Sequence, residues 1–245
     1  MIIELKNISK NFGENSVHKN CNLAVKEGSF VSLIGPSGVG KSVLLKYILG
    51  FMAPDQGEVL VNGWQVNIAD TVGLTNMRSN FGVVFQGSAL LDSLTTFQNV
   101  ALPLVERTSL TNKEIKEKVL AALDQLGLHD SQDKFPSQIS GGMKRRVALA
   151  RSLMLEPRIL LFDEPTTGLD PATSHSIYKL FRKSIELYNC TALMITHDIP
   201  NIFHYVDEVA ILANQEITQH YNQQTIYNSK SQWLQDSIQS KEIKI

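Results

Sequence analysis

Cysteine is scarce in this chain, and its placement excludes two common kinds of site. The 245 residues include only Cys21 and Cys190, which lie far apart and have neither a CxxC pair nor a histidine cluster beside them. Zinc sites need closely spaced sulfur or imidazole ligands, and disulfide scaffolds need several cysteines. We therefore expect neither, and the cysteine usage is typical of a cytosolic protein.

Long apolar runs and an excess of charge of one sign are missing as well. No run approaches the roughly 18 apolar residues that cross a bilayer, and the first residues lack a charged-then-apolar signal pattern. Any membrane role is therefore expected to depend on partner proteins. The 23 basic and 24 acidic residues give a net charge of -1, which disfavours DNA or RNA as the main partner.

What the sequence does contain is a phosphate-binding loop of the form GxxxxGK[ST]. A buried strand is predicted before it at residues 30–34, and a helix ending at Gly50 is predicted after it. Glycines let backbone N–H groups surround phosphate oxygens, and the helix N-terminus adds partial positive charge. Lys41 is expected to reach the β- and γ-phosphates, and Ser42 to offer its hydroxyl to Mg²⁺. The loop consists of Gly35, Pro36, Ser37, Gly38, Val39, Gly40, Lys41 and Ser42.

Polar side chains stand at the ends of three further strands predicted from apolar runs. Side chains at such ends can reach a ligand at the edge of a parallel sheet. An amide side chain can contact Mg²⁺ or the water molecule that attacks the γ-phosphate. A pair of acidic residues can bind Mg²⁺ with one carboxylate and polarise that water with the other. An imidazole can form a hydrogen bond to the γ-phosphate. Taken alone, an exposed loop glutamine or a structural histidine would fit as well. The residues are Gln86 closing residues 81–86, Asp163 and Glu164 closing the second strand, and His197 after the third.

Two helix starts and one aromatic residue complete the pattern. Ser140, Gly141 and Gly142 precede an apolar helical stretch and predict a second anion site, with a simple N-cap as the alternative. Asp170 is predicted to cap another helix, because proline at the next position favours a helix start. Phe12, just before a glycine, could stack on adenine or be an ordinary core or surface phenylalanine.

The order of these motifs resembles the nucleotide-binding subunit of ABC transporters over roughly residues 2–225. The resemblance implies ATP hydrolysis with Mg²⁺, and two subunits that sandwich two ATP molecules so that each Ser-Gly-Gly signature completes the partner's site. It assigns catalysis to Glu164, His197 and Gln86, and metal binding to Ser42, Gln86 and Asp163. Nucleotide contacts are implied for Phe12, the phosphate-binding loop, Val43, Ser140, Gly141, Gly142, Met143 and Asp170.

Within that family, three stretches look like the Mkl/MlaF type, whose ATPases energise the transport of phospholipids or other lipids. They are residues 40–46, the segment from Gln86 to residue 104, and a signature ending in Met143. The resemblance implies a role in maintaining the lipid asymmetry of the outer membrane. Met143 stands where glutamine is usual, which leaves the serine and the backbone N–H groups to bind the partner's nucleotide.

The fold class that follows is α/β: a P-loop ABC ATPase with a RecA-like core, an antiparallel β subdomain and a helical subdomain at about residues 87–155. The nucleotide-binding domain is expected to span residues 1–225. The tail, residues 226–245, carries Trp233, Leu234 and Ile238 in a short amphipathic helix that we expect to be too small to add to the core. We expect it to contact a neighbouring subunit, with a frayed terminus as the alternative.

The expected partners are a second copy of the chain and integral-membrane permease subunits, with substrate-binding and regulatory accessory subunits and no nucleic acid. The chain is then peripheral, at the cytoplasmic face of the inner membrane. Residues 87–104 combine apolar side chains with few charges and form a candidate docking groove for a permease helix. The apolar residues meant are Leu90, Leu91, Leu94 and Phe97.

Three alternatives remain open at this point. The first is the ATPase of an amino-acid uptake or lipoprotein-release transporter. The second is a soluble ABC protein acting on DNA or the ribosome, which normally carries a long coiled-coil insertion or a second nucleotide domain. The third is an ATP sensor without turnover, which the presence of Lys41, Glu164 and the other motif residues disfavours.

Overall fold

The structure is a computed structural model that describes residues 1–222, 224–228 and 231–242. The chain forms two compact units. The first comprises residues 1–79 and the chain from Asn189 onward, and the second comprises residues 80–188. The helical subdomain at about 87–155 and the domain end at 225 stay predictions.

The helices and strands alternate along most of the chain, as expected for an α/β fold. In chain order they are β1 (Ile3–Phe12), β2 (Asn15–Val25), β3 (Phe30–Ile34), α1 (Lys41–Ile48), β4 (Gln56–Val61), β5 (Trp64–Gln65), α2 (Thr71–Arg78), β6 (Phe81–Val84), α3 (Thr96–Arg107), α4 (Asn112–Gln125), α5 (Gly141–Leu153), β7 (Ile159–Asp163), α6 (Pro171–Leu187), β8 (Thr191–Ile195), β9 (Glu208–Ala213), β10 (Glu216–Asn222) and α7 (Gln232–Glu242).

The first unit contains an antiparallel sheet and a group of mainly parallel strands. The antiparallel sheet has the order β2-β1-β4-β5, which confirms the predicted antiparallel β subdomain. In the second group β3 lies between β8 and β9 and is parallel to both, while β10 pairs antiparallel with β9. Every residue of β3 and β8 is buried, as expected for parallel strands covered on both faces.

The second unit combines the parallel pair β6 and β7 with helices α3 to α6. Helix α4 begins with the predicted capping box, in which Thr111 accepts from the N–H of Glu114 while the Glu114 carboxylate accepts from the N–H of Thr111. Its apolar stripe is buried and belongs to the core. Helix α6 begins as predicted, with Asp170 accepting a 2.9 Å hydrogen bond from the N–H of Thr173.

One predicted strand is shorter than expected. The apolar pattern predicts a strand over residues 81–86, but β6 ends at Val84 and Gln86 opens a turn. The reason is the backbone two residues later, because Ser88 and Ala89 have φ of 62° and 45°. A strand cannot continue toward two successive left-handed residues.

The predicted C-terminal helix is present as α7, and it contributes more to its own unit than expected. Leu234 is buried within the chain, so the helix is not too small to add to the core. Residues 229–230 and 243–245 of the predicted tail lie outside the described residues. Across the described ranges, no helix is both long and apolar enough to cross a membrane.

Candidate functional site

The phosphate-binding loop follows β3 directly and leads into α1. Lys41, the first residue of α1, is buried and donates from Nζ to the carbonyl oxygens of Gly35 at 2.9 Å and Pro36 at 2.8 Å. Gly40 precedes the helix with φ of 103° and no side-chain cap. The loop therefore wraps around its own lysine and presents the start of α1 without a capping side chain in the way.

Glycine is required at the start of this loop for a steric reason. A Cβ added at Gly35 would lie 2.1 Å from the carbonyl oxygen of Leu212 on β9. Contacts this short do not occur, so any side chain here would push the loop away from the strand beside it. Close packing of β3 on β9 thus fixes the identity of the residue.

His197 lies at the same sheet edge as the loop. Leu33 of β3 pairs with Ile195 of β8, and the N–H of Thr196 donates to the carbonyl of Leu33 at 3.3 Å. Because the strands are parallel, the residues that follow them leave the sheet side by side. His197, two residues beyond β8 and exposed, therefore follows the strand next to the one that leads into the loop, and its role at the γ-phosphate stays a prediction.

A second histidine, which the sequence analysis missed, lies under the end of the loop. His18 on β2 is buried, its Nδ1 lies 3.2 Å from the Tyr47 hydroxyl, and a Cβ at Gly40 would come within 2.8 Å of its Nε2. Burial lowers the pKa of His18 to about 4, so the ring is neutral near pH 7. The sequence carries no signal for it, because His18 is out of phase with the buried Cys21, Leu23 and Val25 of the same strand.

Phe12 ends β1 and has 43% of its surface exposed. The Lys10 ammonium lies 5.6 Å from the centre of its ring. The ring is therefore partly exposed with a cation over one face, and stacking on adenine stays a prediction.

In the second unit, Gln86 and the acidic pair share one edge of the β6 and β7 pair. Val84 pairs with Phe162 in parallel register, so Gln86 follows one strand while Asp163 ends the other and Glu164 follows it. Glu164 has φ of 48°, a rare conformation for a non-glycine residue. Its Oε2 accepts a 3.2 Å hydrogen bond from the Thr167 hydroxyl. Backbone strain of this kind gathers at functional sites.

The two predicted helix starts of the second unit also lie together. The Ser140 hydroxyl caps α5 by accepting from the N–H of Met143 at 3.2 Å. A Cβ at Gly141 would be 3.0 Å from a methyl of Leu169, and one at Gly142 would be 2.9 Å from the Thr173 methyl. The signature glycines thus allow the start of α5 to approach the segment that carries Asp170.

Two arginines of α5 form a network that sequence reasoning missed. Arg145 and Arg151 both bind the turn after β6, and Arg145 also binds the segment after Glu164. Their signal in the sequence is weak, because basic residues on a helix usually lie on a solvated face. Only the fold reveals that Arg145 is buried.

The expected docking groove is less exposed than its composition suggests. Leu91 has 46% of its surface exposed, whereas Leu90, Leu94 and Phe97 are half-buried. The backbone at Leu91 is held from both sides by the buried Asn99, whose Oδ1 accepts from its N–H at 2.8 Å and whose Nδ2 donates to its carbonyl at 3.0 Å. Leu91 is therefore the exposed apolar side chain of a firmly held loop.

The ABC transporter family profile matches residues 18–167, more than half of the chain. A curated relative is the intermembrane phospholipid transport system ATP-binding protein MlaF of Haemophilus influenzae, which is 38% identical over 88% of this chain and 82% of its own length. Another is the methionine import ATP-binding protein MetN 4 of Oceanobacillus iheyensis, 40% identical over 88% of this chain and 64% of its own length.

A solved structure shows the same fold. It is the dimeric, post-hydrolysis state of the ATP-binding cassette MJ0796 bound to ADP and Pi, which aligns with a TM-score of 0.80 and 36% identity. The alignment covers 90% of this chain and 98% of that one. The similarity thus extends over both units and confirms the fold class predicted from the motifs.

Proposed function

This chain belongs to the ABC transporter family as an ATP-binding subunit and ATPase, and we propose that it energises the movement of phospholipid by a membrane-embedded permease. The observation that carries the lipid assignment is the 38% identity to MlaF over 88% of the chain. Met143 at the end of the signature supports the same subtype.

We assign nucleotide binding to the phosphate-binding loop and to Phe12. Lys41 is held by two carbonyl groups at the loop, and on ATP binding it exchanges them for oxygens of the β- and γ-phosphates, which attract a cation more strongly. Val43 lies in the first turn of α1, where the partial positive charge of the helix N-terminus attracts the phosphates. Phe12 stacks on adenine through its exposed face.

Glu164 is assigned as the group that polarises the attacking water. The positive φ at Glu164 and the Thr167 hydroxyl hold its carboxylate in one direction, and a positioned general base typically contributes about 10² to 10⁴ in rate. Gln86 and His197, each placed at a sheet edge, are assigned to positioning the water and binding the γ-phosphate.

The donor set at these positions fits Mg²⁺. Ser42, Asp163 and Gln86 offer a hydroxyl, a carboxylate and an amide oxygen, which are hard oxygen ligands. No cluster of three His, Cys, Asp or Glu side chains occurs in the described part of the chain, consistent with an ion held by few protein ligands and by nucleotide phosphates. When bound, the ion would neutralise phosphate charge.

We further propose that two copies of the chain close around two ATP molecules. Ser140, Gly141, Gly142 and Met143 would present the start of α5 to the partner's nucleotide, and Asp170 would line the same interface. Support comes from the dimeric solved relative and from the exposure of Ser140 at the start of α5. The dimer would bind permease subunits, with substrate-binding and regulatory accessory subunits, at the cytoplasmic face of the inner membrane.

A second candidate function is methionine uptake, favoured by the 40% identity to MetN 4. The two functions use the same ATPase machinery and differ only in what the permease moves. The chain spans 64% of that MetN and 82% of the MlaF relative.

The test is purification of the full chain with the membrane proteins that co-elute, followed by identification of bound lipid by mass spectrometry. The complex is then placed in phosphatidylethanolamine and phosphatidylglycerol vesicles, and ATP turnover is measured with and without L-methionine, beside a Glu164→Gln complex. We expect bound glycerophospholipid and a rate that methionine does not change. Turnover that depends on methionine, with no lipid retained, would favour the MetN-like function.

A further inference from the structure

The turn after β6 has an unusual backbone that its surroundings must hold in place. Ser88 and Ala89 have φ of 62° and 45° although neither is glycine. Such conformations persist only where neighbouring groups fix them. Ser88 is 1% exposed, and its N–H donates to the carbonyl of Phe85 at 2.8 Å. The turn that carries Gln86 is therefore a fixed element.

Two arginines on α5 hold this turn. Arg151 donates to the carbonyl oxygen of Ala89 at 2.7 Å and to that of Ser88 at 2.9 Å. Arg145, nearly two helical turns earlier, donates from Nη1 to the Ser88 hydroxyl. Helix α5 thus holds the backbone of the turn through Arg151 and the Ser88 side chain through Arg145.

Arg145 also reaches the segment that follows the catalytic carboxylate. Its Nε donates to the carbonyl of Pro165 at 2.6 Å, and its Nη2 donates to the carbonyl of Thr167 at 3.3 Å. Thr167 in turn donates to Glu164. A single guanidinium therefore joins the Gln86 turn to the residues that orient Glu164.

The environment of Arg145 is costly for a charge and depends on these bonds. Arg145 is 9% exposed, and in the described ranges no carboxylate pairs with it. Its charge is stabilised by carbonyl dipoles and a hydroxyl, and a buried charge left without such partners is strongly destabilising. The guanidinium uses three separate nitrogens, Nε, Nη1 and Nη2, for these partners, whereas the three donors of a lysine ammonium all lie on one nitrogen and cannot span the same acceptors.

We propose that Arg145 is a positioning residue that couples the Gln86 turn to Glu164, through Ser88 on one side and through Pro165 and Thr167 on the other. The inference rests on the proposed function, because it requires Glu164 to be the group that polarises water. Displacement of the turn, as by a membrane partner bound at residues 87–104, then changes the direction of the Glu164 carboxylate. The predicted effect falls on turnover and leaves ATP affinity unchanged.

A neighbouring pair of residues provides a matched control. Arg146, the next residue of α5, donates to the carbonyl of Leu126 at 3.0 Å and to the Ser176 hydroxyl at 3.2 Å. It too binds one carbonyl and one serine hydroxyl. Its partners, however, are neither in the Gln86 turn nor in the segment after Glu164.

The test compares the two pairs in the full chain, with its membrane partners where they are needed for turnover. Arg145→Lys is expected to lower kcat about tenfold or more, because small displacements of a catalytic group reduce rates strongly, while KM and equilibrium ATP affinity change less than about twofold. Ser88→Ala, the milder change, should lower kcat in the same sense. The double variant should be no slower than Arg145→Lys, because both changes break one link.

A second readout does not depend on activity. Ser88→Ala should raise amide hydrogen exchange in residues 164–169, which it does not touch, because the Arg145 link is lost. Arg146→Lys and Ser176→Ala should keep kcat within about twofold of the wild-type value. They should also leave amide hydrogen exchange in residues 164–169 unchanged, even if they lower thermal stability.

The proposal is overturned if the two pairs lower kcat equally, if the Ser88 and Arg145 effects are fully additive, or if exchange in residues 164–169 does not respond to Ser88→Ala. Failure of the proposed function has a different signature. If Glu164→Gln turns over ATP as fast as the wild type, the proposed role of Glu164 in hydrolysis is refuted. Loss of turnover in Glu164→Gln with normal turnover in Arg145→Lys would reject only the coupling.

Discussion

The Thr167 hydroxyl donates a 3.2 Å hydrogen bond to Oε2 of Glu164, three residues earlier in the chain. The N–H of Thr167 also donates to the Glu164 carbonyl at 3.3 Å. Together the two bonds close a turn at the end of β7 and fix the direction in which the carboxylate leaves the strand. The Thr167 hydroxyl therefore helps to orient Glu164, the residue that we propose polarises the attacking water.

Replacing this hydroxyl should slow catalysis without weakening nucleotide binding. Thr167→Val keeps the branched shape and removes the donor, so the carboxylate loses part of its orientation; we expect kcat to fall about three- to tenfold, equal to roughly 1 kcal/mol. The neighbouring Thr166 serves as the control, because its hydroxyl lies 2.7 Å from that of Tyr178. Thr166→Val should cost stability, and a larger loss of kcat there than in Thr167→Val would contradict the assignment.

The shared-site arrangement predicts that the signature serves the partner's ATP. Ser140 caps α5 at its exposed start, so Ser140→Arg should place a large side chain in the dimer interface and abolish turnover while ATP affinity of the single subunit stays nearly intact. Mixing it with Lys41→Ala subunits should restore one composite site. Loss of ATP affinity in Ser140→Arg alone, or a mixture without nucleotide-dependent dimers, would refute the sandwich.

His18 predicts a pH dependence of stability. Its pKa is lowered by burial from 6.5 to about 4, so between these pH values the unfolded chain binds a proton that the folded chain does not. Its contribution is therefore complete above pH 6.5 and is lost as the pH falls toward 4, by at most about 3 kcal/mol. Urea unfolding from pH 7 to 4 should show a smaller loss in His18→Phe than in wild type.

The exposed His204 provides the comparison for that experiment. His204→Asn removes an exposed imidazole and keeps His18, so it separates the effect of the buried histidine from the loss of a histidine in general. If His18→Phe and wild type lose the same free energy of unfolding over this range, His18 does not carry the effect.

Leu91 tests the docking surface. Its backbone is held by Asn99 while its side chain is exposed, so Leu91→Asp should leave the loop folded. We expect co-purification with the permease to be lost while ATP affinity is kept, because a carboxylate in an apolar contact must be desolvated. Leu187→Asp, at another exposed leucine of the same unit, should keep both. If Leu91→Asp keeps co-purification but loses ATP binding, the docking assignment is wrong and Leu91 is a core residue of the subunit.

Local signals in the sequence were sufficient for much of the fold. The Thr111 and Glu114 capping box and the Asp170 cap use residues within three positions of each other, so the sequence displays them directly. The buried strands before the phosphate-binding loop and before Glu164 were visible as continuous apolar runs. Most motif residues therefore lie at the strand ends and helix starts that the sequence predicted, but Gln86 lies in a turn two residues beyond the end of β6.

The missing parts depend on contacts between distant residues. Arg145 binds Ser88 57 positions away, and His18 meets Tyr47 29 positions away. Neither pair has a spacing that a helix or strand period would reveal. The positive φ of Ser88 was equally hidden, because serine usually avoids that conformation and only the arginines of α5 explain why it is held there. The shortened β6 follows from the same contacts.

The central claim is that this chain hydrolyses ATP with Glu164 polarising the attacking water. The most direct measurement is steady-state ATP turnover of Glu164→Gln beside equilibrium binding of ATP, with Lys41→Ala as the variant that should instead lose binding. The account predicts unchanged ATP affinity and a turnover lowered by about 10² or more in Glu164→Gln. Equal turnover of Glu164→Gln and wild type would contradict it.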